Sequence, residues 1–309
     1  MARDTNFYYS FLVLTPARRQ AIVAVWDFCR AVDDAVDEAK VETEADRAAA
    51  RARLDEWRRE IARCFAAAAD PSAPAPALQA PQTPQTPPGQ ALVPFIRQFD
   101  LPRGPFADLV DGVAMDIGHR RFKNFAELYQ YCYRVASTVG IVCVQIFGCQ
   151  DAQSRDYAMD LGVALQLTNI LRDVQKDLAI GRLYIPLDDM ARFAVTEDML
   201  VTDTASPNVR ALLRAQAVRA RDYYARATRA IPPDESRRLI AAEIMSGIYQ
   251  AILAEIERRD FDVFAETVRV SRPRRAWIAV SIWMRMTFRV KEAFAEVSRE
   301  VSRRFGGPM

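Results

Sequence analysis

Leu165-Gln166-Leu167-Thr168-Asn169-Ile170-Leu171-Arg172-Asp173-Val174-Gln175-Lys176-Asp177 is the stretch from which the rest of the chain can be read. Gln166, Asn169, Asp173 and Asp177 are spaced three, four and four apart, which lines side chains up along one face of a helix. Around them Leu165, Leu167, Ile170, Leu171, Val174 and Leu178 are apolar, so the helix is predicted to be largely buried. A buried amide and two buried carboxylates without partners would cost roughly several kcal/mol. Arginines elsewhere in the chain could pair with them. A polar column of this length inside an apolar helix points instead to a functional cavity.

The same helical period runs outward in both directions. It predicts helices at 16–39, 43–69, 90–99, 104–116, 124–149, 152–179, 206–230, 235–259 and 273–300, with no strand–turn–strand pattern. The fold class is therefore all-α. Residues 70–90 carry seven prolines, which remove backbone donors and fix φ, and they read as an exposed loop between two helices. A domain linker is the rival reading, but residues 1–69 alone make only two helices, so 1–309 is read as a single domain.

A second acidic pair lies at Asp33 and Asp37, in Phe28-Cys-Arg-Ala-Val-Asp-Asp-Ala-Val-Asp-Glu38. Like charges four apart oppose helix formation, and a bound cation would offset that. A solvated acidic face, partly neutralised by Arg30, is the plainer alternative. His119 is the single histidine, which argues against histidine-rich metal sites and Ser-His-Asp chemistry. The five cysteines form no CxxC pair, so a disulfide framework is not expected and a reducing cytoplasm is the simpler setting. Any metal must be held by oxygen, which favours Mg²⁺, Mn²⁺ or Ca²⁺. Forty-two Lys and Arg against 40 Asp and Glu give no reason to expect nucleic acid. Neither a signal peptide nor a run of about 18 apolar residues is visible.

Two acidic pairs on separate helices fit a metal–diphosphate site. Ionising a diphosphate leaves an allylic cation, which needs a water-excluding pocket. Candidate wall residues are Phe7, Tyr8, Tyr9 and Phe11 at the start, Trp26, and Tyr133 ahead of the small residues Ala136 and Gly140. Singly, each aromatic reads as core and each small residue as a close-packing contact.

Together, Asn6-Phe-Tyr-Tyr-Ser10, Cys29-Arg-Ala-Val-Asp-Asp-Ala-Val-Asp37, Tyr131-Cys-Tyr-Arg-Val-Ala-Ser-Thr-Val-Gly140, Gln166–Asp177 and Gly181-Arg-Leu-Tyr-Ile-Pro186 resemble the squalene/phytoene synthases, in order, over about residues 3 to 290. The resemblance implies an isoprenoid synthase helical bundle around a central cavity. It implies metal ligands at Asp33, Asp37, Asp173 and Asp177, with Asn169 as their neighbour in the metal site. It places Gln166 on the cavity wall, Arg30, Arg172 and Arg182 on diphosphate, and Tyr133 and Tyr184 near the reacting carbons. The implied reaction is a Mg²⁺-dependent head-to-head joining of two farnesyl or geranylgeranyl diphosphates, with Mn²⁺ as a substitute metal and NADPH use left open. Bacterial hopanoid-pathway enzymes making presqualene diphosphate are the nearest likeness, and phytoene or dehydrosqualene synthases the alternative. A non-catalytic helical scaffold and a terpene cyclase are the remaining rivals. One departure is Glu266-Thr267, where relatives often carry arginine before Val268; Arg269 or Arg272 would have to substitute. The basic tail from Arg272 to Arg304 reads as a solvated face, with peripheral contact to an anionic membrane as the other reading.

Overall fold

The structure is a computed structural model that describes residues 8–37 (the side chain of Asp37 excepted), 43–69, 83–118, 120–201 and 204–287. Phe7, His119 and most of the proline-rich stretch lie outside the described residues. The helices in chain order are α1 (Tyr8–Phe11), α2 (Pro16–Asp37), α3 (Glu44–Ala69), α4 (Pro87–Phe99), α5 (Arg103–Val113), α6 (Phe125–Cys132), α7 (Thr138–Phe147), α8 (Ala152–Ala179), α9 (Leu187–Arg192), α10 (Pro207–Arg229), α11 (Ile240–Arg258) and α12 (272–287). The described extended structure is a single bridge between Arg121 and Leu183, so the all-α reading holds.

Helix α8 is the axis of the bundle. Asp151 caps it, its side chain accepting from the Gln153 amide at 2.8 Å. Leu161, Val163, Leu167, Ile170, Leu171 and Val174 are buried, and α8 packs against α7, α10 and α11. Each such side chain contributes about 1.5–3 kcal/mol of burial. One hydrophobic core runs from Phe11 to Val270. No described helix is long and apolar enough to cross a membrane.

Three of the differences from the expected elements have a visible cause. Helix α4 starts three residues early, because Thr86 caps it and Pro87 and Pro88 occupy the first turn, where a missing amide is harmless. Buried Glu60 of α3 anchors this start, accepting from the Gln85 and Thr86 amides and the Thr86 hydroxyl at 2.7–2.9 Å. The helix expected over 124–149 is interrupted by a π-helical turn at Tyr133–Ser137. Gly112 of α5 and Gly162 of α8 pinch this turn from two sides, close enough that an added Cβ would lie 2.7 Å from Arg134 Cβ or 2.5 Å from Ser137 Cα. The helix expected over 235–259 begins at Ile240, after a 3-10 turn at Pro233–Glu235.

Candidate active site

Helices α2, α5, α7, α8 and α11 and the π turn enclose a cavity of about 510 Å³. Its wall is mostly apolar: Ile22, Val25, Val139, Val144, Leu161 and Met245 are typical. Polar groups gather at Asp33 of α2, at Gln166, Asn169 and Arg172 of α8, and at Tyr249 of α11. A cavity of this size with an apolar body and few convergent polar groups suits a long greasy ligand with a charged head.

Gln166 and Asn169 of the α8 column line the cavity, whereas Asp173 and Asp177, further along the same helix, do not. The Asn169 amide nitrogen donates to Gln166 Oε1 at 3.4 Å, while Asn169 Oδ1 is buried with no hydrogen-bond partner. One turn on, Arg172 lies against Asp173, its Nε 3.0 Å from Oδ2, with Lys176 at 3.7 Å from Asp173. Burial pulls the Arg172 guanidinium down, but Asp173 and then Tyr249 outweigh it and hold it above its ordinary value. Asp177 is pushed up to about 7, first by burial and then by the Asp173 and Asp116 charges, with Arg182 and Arg172 opposing. The charges of Asp173, Asp116, Arg172 and Arg182 thus all act on Asp177.

On α2, Trp26, Cys29 and Asp33 line the cavity at helical spacing. Arg30 does not; it is exposed and lies 3.8 Å from Asp34. Asp37 ends α2, and its side chain is outside the described residues. Phe11 lines the cavity, whereas Tyr8 stacks edge-on against Tyr9 at 5.4 Å and does not.

Two tyrosines sit elsewhere than expected. Tyr133 is not on the wall; the π turn gives Val135 and Ala136 to the cavity and leaves Tyr133 beside Tyr129, whose hydroxyl burial, Asp160 and Tyr133 all affect. Tyr184 is also off the wall. It stacks on Tyr131 at 4.9 Å and donates to Asp116 at 2.8 Å, while the Tyr131 hydroxyl lies 3.0 Å from the same carboxyl. Asp116 and Tyr249 escaped the sequence reading. Asp116 has no acidic partner at helical spacing, and only the fold brings it to Asp177. In the region of Glu266 the chain is irregular, and neither Arg269 nor Arg272 lines the cavity. The small-residue expectation does hold: a Cβ on Gly140 would lie 2.9 Å from the Ala158 carbonyl oxygen.

The family model for squalene/phytoene synthase matches residues 1–275. The chain belongs to that family. Its members are prenyltransferases that act on prenyl diphosphates with a divalent cation, joining two of them head to head. Among its relatives are a 15-cis-phytoene synthase of Synechococcus elongatus, 34% identical over 86% of this chain and 83% of the relative, and a phytoene synthase of Mycobacterium tuberculosis, 35% identical over 89% and 85%. Among solved structures, a dehydrosqualene synthase in complex with ligand matches with a TM-score of 0.74 at 26% identity, covering 92% of both chains. Squalene synthase HpnC from Alicyclobacillus acidocaldarius matches at 0.68 and 30% identity, over 84% of this chain and 90% of that one.

The described residues hold no ready cluster of three metal-binding side chains. The donor set still suits a hard cation: an orphaned buried amide oxygen at Asn169, with Asp173 and Asp177 further along the same helix and Asp33 of α2 on the same cavity's wall.

Proposed function

We propose that this prenyltransferase joins two geranylgeranyl diphosphates head to head to give phytoene. The buried, unpartnered Asn169 oxygen on the wall of an apolar cavity that Asp33 also lines carries the diphosphate-site reading. The C20 substrate is favoured over the hopanoid reading by the phytoene synthases at 34–35% identity. Joining two farnesyl diphosphates to presqualene diphosphate remains the second reading, favoured by the likeness to dehydrosqualene synthase and HpnC.

Asn169, Asp173 and Asp177, with Asp33 and Asp37 of α2, would hold Mg²⁺ or Mn²⁺. The bound cation would neutralise diphosphate charge and make it a better leaving group. Arg172 and Arg182 add positive charge at the same end of α8. The apolar walls exclude water from the allylic chain, and Tyr249 adds a hydroxyl to that wall. Residues 1–309 would act as one catalytic unit around the continuous core.

Incubating the purified chain with Mg²⁺ and either C15 or C20 diphosphate, with and without NADPH, tests this by product mass. A C40 hydrocarbon from the C20 substrate is expected. Presqualene diphosphate from the C15 substrate alone would shift the assignment to the second reading. Full turnover by Asp173→Asn would remove the metal assignment.

A further inference from the structure

Helix α12 is apolar on both sides. Its inner face, Ala279 and Ile282 with Ile278 and Met286, packs on Ile244 and Ile248 of α11 and on Tyr9. On the outer face Trp277 is 70% exposed, Val280 52%, Trp283 44% and Met284 43%. A surface helix ordinarily turns polar groups to water, and the solvated basic face expected here from the sequence would do so. Instead four of the ten large apolar side chains exposed among the described residues fall on this one helix. They occupy one arc at i, i+3, i+6 and i+7. The flanks are positive: Arg272, Arg274 and Arg285 are exposed, Arg275 is buried over the Tyr9 ring, and residues 271–287 contain no acidic residue. The helix also backs onto the active site, since Ala241, Ala242 and Met245 of α11 line the cavity while Ile244 and Ile248 meet α12.

We propose that the outer face of α12 docks on an anionic lipid bilayer, with Trp277 and Trp283 in the headgroup region and the exposed Arg272, Arg274 and Arg285 beside acidic headgroups. Tryptophan prefers this boundary, where its ring is in an apolar setting and its N–H stays wet. Arginines flanking an apolar arc are the charge pattern of helices that lie in the interface plane. The purpose rests on the reaction proposed above, whose hydrocarbon product is insoluble in water. The docking itself does not depend on that reaction, and its test uses no turnover.

The test is flotation of the full chain with phosphatidylcholine vesicles, with and without about 30% phosphatidylglycerol, at low and about 0.5 M salt. Binding is expected to need the anionic lipid and to weaken in salt, as screening shortens the reach of charge. The double variant Trp277→Ser/Trp283→Ser should partition roughly tenfold or more weakly, having lost two large apolar side chains. It should keep turnover of dispersed substrate, because neither residue lines the cavity. Quenching of the parent's tryptophan emission by brominated lipid reads the same contact without relying on the variant's folding. No flotation, flotation unchanged in the double variant, or no quenching by brominated lipid would overturn the proposal. So would sedimentation showing a dimer that the double variant dissolves, since the face would then be covered by a second copy. Tryptophans already shielded from iodide in the lipid-free monomer would place residues 288–309 over the face and overturn it as well.

Discussion

Replacing Gly162 by alanine tests how α8 and the π turn form the cavity wall. The added Cβ would lie 2.5 Å from Ser137 Cα, 2.6 Å from Ser137 N and 2.9 Å from Ala136 C. All three are backbone atoms, and ordinary carbon contacts are about 3.5–4.0 Å. The turn must therefore retreat by about 1 Å, which stretches the 2.7 Å bond from Ser137 Oγ to the Met159 carbonyl. Overpacking of this kind costs about 1–3 kcal/mol and the weakened bond about 1, while alanine's better helix preference returns about 1. A net loss of about 2 kcal/mol should lower the melting temperature by about 3 °C for a domain of 309 residues. Thermal unfolding followed by circular dichroism measures it. Turnover should fall too, because Val135 and Ala136 on that turn line the cavity. Gly104→Ala is the control: nothing lies within 4 Å of its added Cβ, so its melting temperature should stay level or rise slightly. If Gly162→Ala melted at or above the parent temperature, the close backbone approach would not be what shapes this wall.

Asn169→Leu should leave stability unchanged or raise it by about 1 kcal/mol, because it removes an unpartnered buried oxygen, yet lower turnover at least about a hundredfold; melting and steady-state kinetics together read both. Glu60→Ala should destabilise by about 3 kcal/mol in urea titration, since it strips an acceptor from the Gln85 and Thr86 amides, the Thr86 hydroxyl and Arg63 in a buried site. The Glu243 carboxyl is raised by burial, with the 2.8 Å bond from Tyr157 and the Arg285 charge opposing. Its folded value lies above its unfolded one, so its charged form weakens the fold as pH rises from the acidic range. Glu243→Gln should therefore melt above the parent at neutral pH, with the gap closing toward pH ~4.5.

The α8 column was readable because its logic is local: Gln166, Asn169, Asp173 and Asp177 need only 3.6 residues per turn to share a face. The aspartate at 33 followed from the same rule. Asp116 did not, because its place beside Asp177, Tyr131 and Tyr184 exists only once α5 and the 181–186 segment are folded together. Tyr133 shows a subtler failure. On an unbroken helix it would share a face with Ala136 and Gly140, which do line the cavity. The π turn begins at Tyr133 itself and holds an extra residue, so the phase slips between it and its expected neighbours. Such turns are common where a helix must aim side chains at a ligand.

Helix α12 is the complementary case. Apolar residues on two sides of a helix give a weak period, so the sequence could place the helix but not say which side met the core. Packing against Ile244 and Ile248 decides that, and leaves Trp277 and Trp283 facing outward. Transferring either ring from water would be favourable by roughly 2 kcal/mol or more, so a free chain that keeps both exposed forgoes that stabilisation. The bundle could have buried them by exchanging faces with Ala279 and Ile282, but those smaller side chains are what let α12 approach Gly247 of α11, where an added Cβ would lie 2.5 Å from Ile282 Cδ1 and 3.0 Å from Ile278 Cγ2. Close helix packing on the inside thus forces the bulky rings outward, and a surface partner is where their apolar area can be buried without loosening the wall behind the cavity.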